Sequence, residues 1–161
     1  MEDKEIIEKT ARAVNRMKQF PDLFRLRVQR NRNSKQYFEN FNCLYLPEDF
    51  LDFMSVLDGL STEIFTVFSI GDCDGQIIKK FDEYSNPVEV KRYLESCNLK
   101  MNPKLFFFAS DNVGGRYAFK TDIKEDAVYY LNAINPDAQL TYNSFLDLLN
   151  DKIEEYILKR V

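Results

Sequence analysis

No histidine occurs in this 161-residue chain. Histidine is the usual general base at neutral pH and the commonest metal ligand. Its absence excludes Ser-His-Asp and Cys-His catalysis and every His-containing zinc site. The cysteines number three, Cys43, Cys73 and Cys97, far apart and without CxxC spacing. That pattern predicts neither a disulfide framework nor a thiolate metal centre, and suits a reducing cytosol. Glycine and proline, five each, are too few for a fibrous or disordered chain. No apolar run approaches the ~18 residues of a membrane span. Met1-Glu2-Asp3-Lys4-Glu5 lacks the basic-then-apolar order of a secretory leader, so a cytoplasmic protein without membrane contact is expected. Cations are also in deficit: 22 Lys and Arg against 26 Asp and Glu give a net charge of −4. Phosphate backbones demand clustered Lys and Arg, so nucleic acid is not an expected partner. A mild acidity suits a basic protein instead.

What is present is the composition of an ordinary folded domain, 45% hydrophobic and 30% charged, with fourteen Phe and nine Tyr. One hydrophobic core serves a chain of this length, so residues 1–161 are expected to form a single domain. Ile6, Thr10, Ala13, Val14, Met17 and Phe20 recur near a 3.6 period and predict an amphipathic helix over 3–20, stopped by Pro21. Phe24, Leu26 and Val28 alternate with Arg25, Arg27 and Gln29, as in a half-exposed strand or extended arm. Leu46-Pro47-Glu48-Asp49 predicts a second helix with proline at its first position, Phe50, Phe53, Met54 and Leu57 inward, and Gly59 as a left-handed cap. Residues 63–70 read as a strand, Gly71 to Gly75 as a turn and 76–78 as a short returning strand. Asn86-Pro87-Val88-Glu89 is the signature of a third helix start. Leu105 to Ala109, Arg116 to Lys120 and Val128 to Leu131 then predict an antiparallel meander, and Ser144 with Asp147 opens a last helix. The fold class expected is α+β, an antiparallel or mixed sheet covered by helices.

Motifs that carry chemistry are scarce. Asp72 and Asp74 flank Cys73 in a tight turn, but Gly75, Ile77 and Ile78 break an EF-hand ligand pattern, which favours a hairpin turn held by Asx side chains. Gly114-Gly115 lies in neither GxxxxGK[ST] nor GxGxxG and reads as a turn between strands. Arg25, Arg27, Arg30 and Arg32 beside Tyr37 and Phe38 form a basic-aromatic stripe of the kind that binds single-stranded nucleic acid. An acidic chain without an RNA-binding motif favours a solvated strand edge. Phe106-Phe107-Phe108 reads as a strand covered on both faces. No catalytic residue, metal ligand or cofactor site is expected.

The order of these blocks resembles the SUKH superfamily, which includes a fungal cell-wall-synthesis regulator and many bacterial immunity proteins. The resemblance is carried by Leu46-Pro47-Glu48-Asp49-Phe50-Leu51-Asp52-Phe53 running to Asp58-Gly59, and by Phe107-Phe108-Ala109-Ser110-Asp111 through Gly114 to Tyr117-Ala118-Phe119. Val128-Tyr129-Tyr130-Leu131 and Ser144 to Leu149 extend it, so that it spans about 46–158. The chain departs from that pattern in having no tryptophan and in Asp58-Gly59-Leu60 where a double glycine is common. The resemblance implies an α+β fold and a binding role without catalysis: in bacterial members, tight binding of a cognate toxin domain, often a nuclease. An acidic inhibitor would be steered toward such a basic target. Asp72, Asp74, Asp111 and Asn112 are the candidate partner contacts because turns display binding groups, with turn formation as their competing reading. The alternative function is a regulatory scaffold for a cellular enzyme or cell-wall assembly factor.

Overall fold

The computed structural model describes residues 3–30, 33–39, 45–71, 79–97, 104–134 and 139–160. The first helix, α1 (Asp3–Lys18), buries Ile6, Thr10, Ala13, Val14 and Met17, the stripe its periodicity predicts. β1 (Arg25–Val28) follows, and then α2 (Ser34–Glu39), a short helix that the polar sequence around it conceals. Pro47 stands one position earlier than expected, at the N-cap of α3 (Glu48–Val56).

Gly59 does not cap α3. The helix ends at Leu57, whose backbone is extended, and the chain passes directly into β2 (Leu57–Ser61). Leu26 pairs with Leu60 and Val28 with Leu57, so β2 uses one more residue than β1 over the same span. Gly59, at φ 89°, lies in that bulge, where a positive φ favours glycine. The strand expected over 63–70 is shorter: Thr62 to Phe65 turns, with Thr62 Oγ1 accepting from the Phe65 amide at 3.0 Å, and only β3 (Thr66–Val67) enters the ladder.

α4 (Phe81–Tyr84) and α5 (Pro87–Ser96) come next. The Asn86 signal performs as read, its side-chain oxygen accepting from the Glu89 amide at 2.9 Å. The meander is β4 (Leu105–Ser110), β5 (Arg116–Lys120) and β6 (Val128–Leu131), extended by β7 (Gln139–Tyr142). The closing helix is α6 (Phe145–Arg160), where Ser144 Oγ accepts from the Asp147 amide at 3.1 Å.

Among the described residues the strands form one seven-stranded sheet in chain order, β1 to β7, and every named pair is antiparallel; the short strand expected over 76–78 lies outside the described residues. One isolated parallel bridge joins Ser69 to Lys80. The α+β expectation therefore holds, in its antiparallel form. β4 is buried along its whole length. Phe106 and Phe108 enter the main core, where Phe50 of α3 meets Phe38, Phe81, Phe106, Phe108, Phe119 and Phe145 at 5.2–6.2 Å. Phe107 points the other way, onto Tyr93 of α5 at 5.3 Å. A strand with apolar side chains on both faces is what the Phe-Phe-Phe run predicts.

Candidate protein-binding surface

Three connections are bound together by side chains at one end of the sheet: the β2–β3 turn, the β4–β5 turn and the start of the β6–β7 connection. Asn112 is the first clamp. Its Oδ1 accepts from Thr66 Oγ1 and Ser110 Oγ, both at 3.0 Å, and its Nδ2 donates to the Thr62 carbonyl at 3.2 Å. Its φ of 64° is positive, a conformation that asparagine tolerates better than most residues. Asp111 is the second. Its Oδ1 accepts from the Val113 amide (3.0 Å) and the Gly115 amide (2.8 Å), and its Oδ2 from the Tyr130 hydroxyl. Asn132 Nδ2 donates to that same hydroxyl at 3.3 Å, while its Oδ1 accepts from the Ile134 amide at 3.1 Å. A Cβ at Gly115 would overlap the Tyr130 hydroxyl and the Asp111 carboxylate, so only glycine permits this approach. From the α5 side the Tyr93 hydroxyl donates to the Gly114 carbonyl at 2.6 Å and the Leu131 carbonyl at 3.1 Å. Burial, and then the Asp111 hydrogen bond, push the Tyr130 hydroxyl above its ordinary pKa.

This network determines what the turns present to solvent. Asp111 and Asn112, two of the candidate contacts, are half-buried with their polar atoms turned inward. Val113 is 86% exposed at the tip of the β4–β5 turn, and Ile134 is 87% exposed beyond β6. Sequence reading missed both, although an aliphatic residue within a polar turn is itself a signal that no turn geometry requires. Asp72 and Asp74 lie outside the described residues, as do Cys43 and Cys73. Cys97 is a buried free thiol at the end of α5.

The structure also shows what leads toward the Asp72–Asp74 segment. The bulge at Gly59 accompanies a buried Asp58, which accepts from the amides of Ile70 (2.6 Å) and Gly71 (3.1 Å). Arg27 Nε pairs with Asp58 at 3.5 Å and Arg27 Nη1 donates to the Gly71 carbonyl at 3.4 Å. Arg27 is therefore part of a buried brace, and the arginine stripe is not one continuous solvated face. Behind the turns, Arg116 lies 4.1 Å over the Tyr93 ring and Lys79 Nζ donates to Ser110 Oγ at 3.1 Å. Burial, with Arg116 nearby, holds the Lys79 ammonium below its ordinary pKa.

Asp49 is a second buried carboxylate. It accepts from the Phe50 amide at 2.8 Å and from the Leu146 amide, in the first turn of α6, at 3.0 Å. Burial pushes its pKa up to about 6, against the downward pull of those two amides. It fastens α3 to α6. A groove of about 410 Å³ between α1 and the start of α6 is lined by Lys9, Arg12, Arg16, Ser144 and Asp147. Two of its cations are already engaged, Arg16 with Glu154 at 2.9 Å and Lys9 with Glu5 at 3.0 Å. Among the described residues no three Cys, Asp or Glu side chains gather as a metal site, and no helix is long and apolar enough to cross a membrane.

Among curated proteins no significant match to the chain is found. The model of the SMI1 / KNR4 family (SUKH-1) matches residues 36–151, from α2 through the meander into α6. The match covers most of the chain and every strand from β2 to β7, and the antiparallel sheet with its helical cover is the fold that the resemblance implies; the chain belongs to the SMI1 / KNR4 family (SUKH-1).

Proposed function

We propose that this chain is an immunity protein of a bacterial cytosol, a non-catalytic module that binds a cognate toxin domain through the turn end of its sheet. Membership in the family fits a protein-binding role, immunity or regulatory. The observation that carries the proposal is the turn end, where Asn112, Asp111 and Tyr130 tie together the β2–β3 turn, the β4–β5 turn and the end of β6 while Val113 and Ile134 project into solvent. A rigid platform loses little conformational entropy on binding, and exposed aliphatic side chains supply the apolar centre of a contact patch. In this reading Asp111 and Asn112 act through the geometry they impose, and Asp72 and Asp74, outside the described residues, are proposed as acidic contacts to a basic toxin. The net charge of −4 favours encounter with a basic domain such as a nuclease.

The test is to express the C-terminal segment of the protein encoded in the adjacent reading frame, with and without this chain, and to measure growth and co-purification. Rescue of growth with a stoichiometric complex is expected. Toxicity that this chain neither relieves nor binds, or no toxicity, would overturn the proposal in favour of a regulatory scaffold with a cellular partner.

A further inference from the structure

Beside the turn end lies a half-buried cation without a countercharge. Lys79 precedes α4, and its main chain is tied to the sheet where the Ser69 amide donates to the Lys79 carbonyl at 2.8 Å. Its side chain reaches the root of the β4–β5 turn, where Nζ donates to Ser110 Oγ at 3.1 Å and lies 5.4 Å from the centre of the Tyr84 ring. Ser110 Oγ also accepts from the Asn112 amide at 3.2 Å and donates to Asn112 Oδ1 at 3.0 Å. Lys79 is thus one hydrogen bond removed from the clamp that carries Val113. The charges around it are already matched. Arg116 faces Glu89 at 3.5 Å, and Asp111 spends its two oxygens on the Val113 and Gly115 amides and the Tyr130 hydroxyl. Lys79 has a hydroxyl and an aromatic ring, but among the described residues no carboxylate forms an ion pair with it. Arg116 lies over the same Tyr84 ring at 5.2 Å and adds repulsion.

The geometry points to Lys79 as a specificity-determining contact that takes a side-chain carboxylate, Asp or Glu, of the toxin domain seated on Val113 and Ile134. The inference rests on the proposed turn-end contact and deepens it. In the free chain, solvent on the open side of the ammonium stands in for a countercharge. A partner that covers the turn end removes that solvent, and an ammonium buried without an anion is strongly unfavourable. A neutral or cationic group placed there leaves Lys79 desolvated and unpaired, whereas a carboxylate replaces the lost water with a charge-assisted hydrogen bond. The net charge of −4 governs encounter with a basic domain. Lys79 instead governs register, because it penalises each placement of the partner that brings no carboxylate to it.

Calorimetric titration of the toxin domain against the parent, Lys79→Met, Lys79→Glu and Lys124→Met tests it. Lys124 is exposed in the β5–β6 connection, at the opposite end of the sheet, and controls for the change in net charge. Lys79→Met is expected to weaken binding at least about thirtyfold, Lys79→Glu further, and Lys124→Met less than about twofold. Amide hydrogen exchange at Asn112 and Val113 checks that the turn is intact in each variant. Acidic residues of the toxin domain are then changed to lysine one at a time. One such variant is expected to bind Lys79→Glu more tightly than it binds the parent, a reversal that a purely structural role for Lys79 does not produce. A folded Lys79→Met chain that binds as the parent does, or no toxin variant that reverses the preference, overturns the inference; the turn-end reading then still stands if Val113→Asp/Ile134→Asp weakens binding. A toxin domain that binds Val113→Asp/Ile134→Asp as tightly as the parent, or that binds neither, overturns both together.

Discussion

Replacing Asp49 by asparagine removes the one carboxylate among the described residues whose pKa burial has raised substantially, and the consequence is calculable. In the folded protein the group titrates near 6 instead of near its ordinary 3.8. A carboxyl raised on folding binds more protons folded than unfolded between those two values. Stability is therefore greatest below about pH 4, falls as pH rises through the interval and levels off above about 7. A gap of about two pH units at about 1.4 kcal/mol each gives about 3 kcal/mol lost by the parent across the window. The amide of the Asp49→Asn variant cannot titrate. Its imperfect acceptance of the Phe50 and Leu146 amides adds an offset independent of pH. Urea unfolding of both proteins from about pH 3.5 to 7.5 isolates the effect, since all other carboxylates cancel in the difference. The parent should lose about 3 kcal/mol relative to Asp49→Asn on going from acid to neutral pH. A flat difference would refute the reasoning. So would a parent that gains on the variant as pH rises, because the amide hydrogen bonds at the start of α6 would then outweigh burial.

The remaining expectations are local. Phe50→Ala empties the centre of the aromatic core and should destabilise by about 3–5 kcal/mol in urea titration, as large deletions in packed interiors do. Tyr130→Phe removes the donor to Asp111 and should cost about 1 kcal/mol, with faster amide hydrogen exchange at Val113 and Gly115 as the specific sign that the turn has loosened. Asn86→Ala removes the cap of α5 and should cost about 1 kcal/mol in the same titration, without altering exchange in the β4–β5 turn.

Local chemistry makes part of this fold legible. Asn86 and Ser144 announce helix starts because their caps are satisfied within three residues, and the β4–β6 meander shows in runs of Phe, Tyr and Val separated by short turns. β2 is hidden because Asp58-Gly59 reads as a helix exit, and only its pairing with β1 reveals the glycine as a bulge. β7 is hidden because an exposed edge strand needs no apolar alternation. Asp49 reaches an amide 97 residues away, and Arg27 meets Asp58 through strand pairing, so neither role has a local signature. The same holds at the candidate surface. Turn chemistry identifies Asp111 and Asn112, but which residue the turn displays follows from the inward direction of their side chains, and that makes Val113 the outward one.

The central claim is that the turn end is the contact surface, and calorimetric titration of the toxin domain against the parent and a Val113→Asp/Ile134→Asp variant tests it most directly. Both positions are almost fully exposed, so the variant should fold with unchanged unfolding behaviour. The account predicts affinity reduced at least about a hundredfold, as two unpaired charges enter the centre of the contact. A folded variant that binds as tightly as the parent would contradict it and place the interface elsewhere on the molecule.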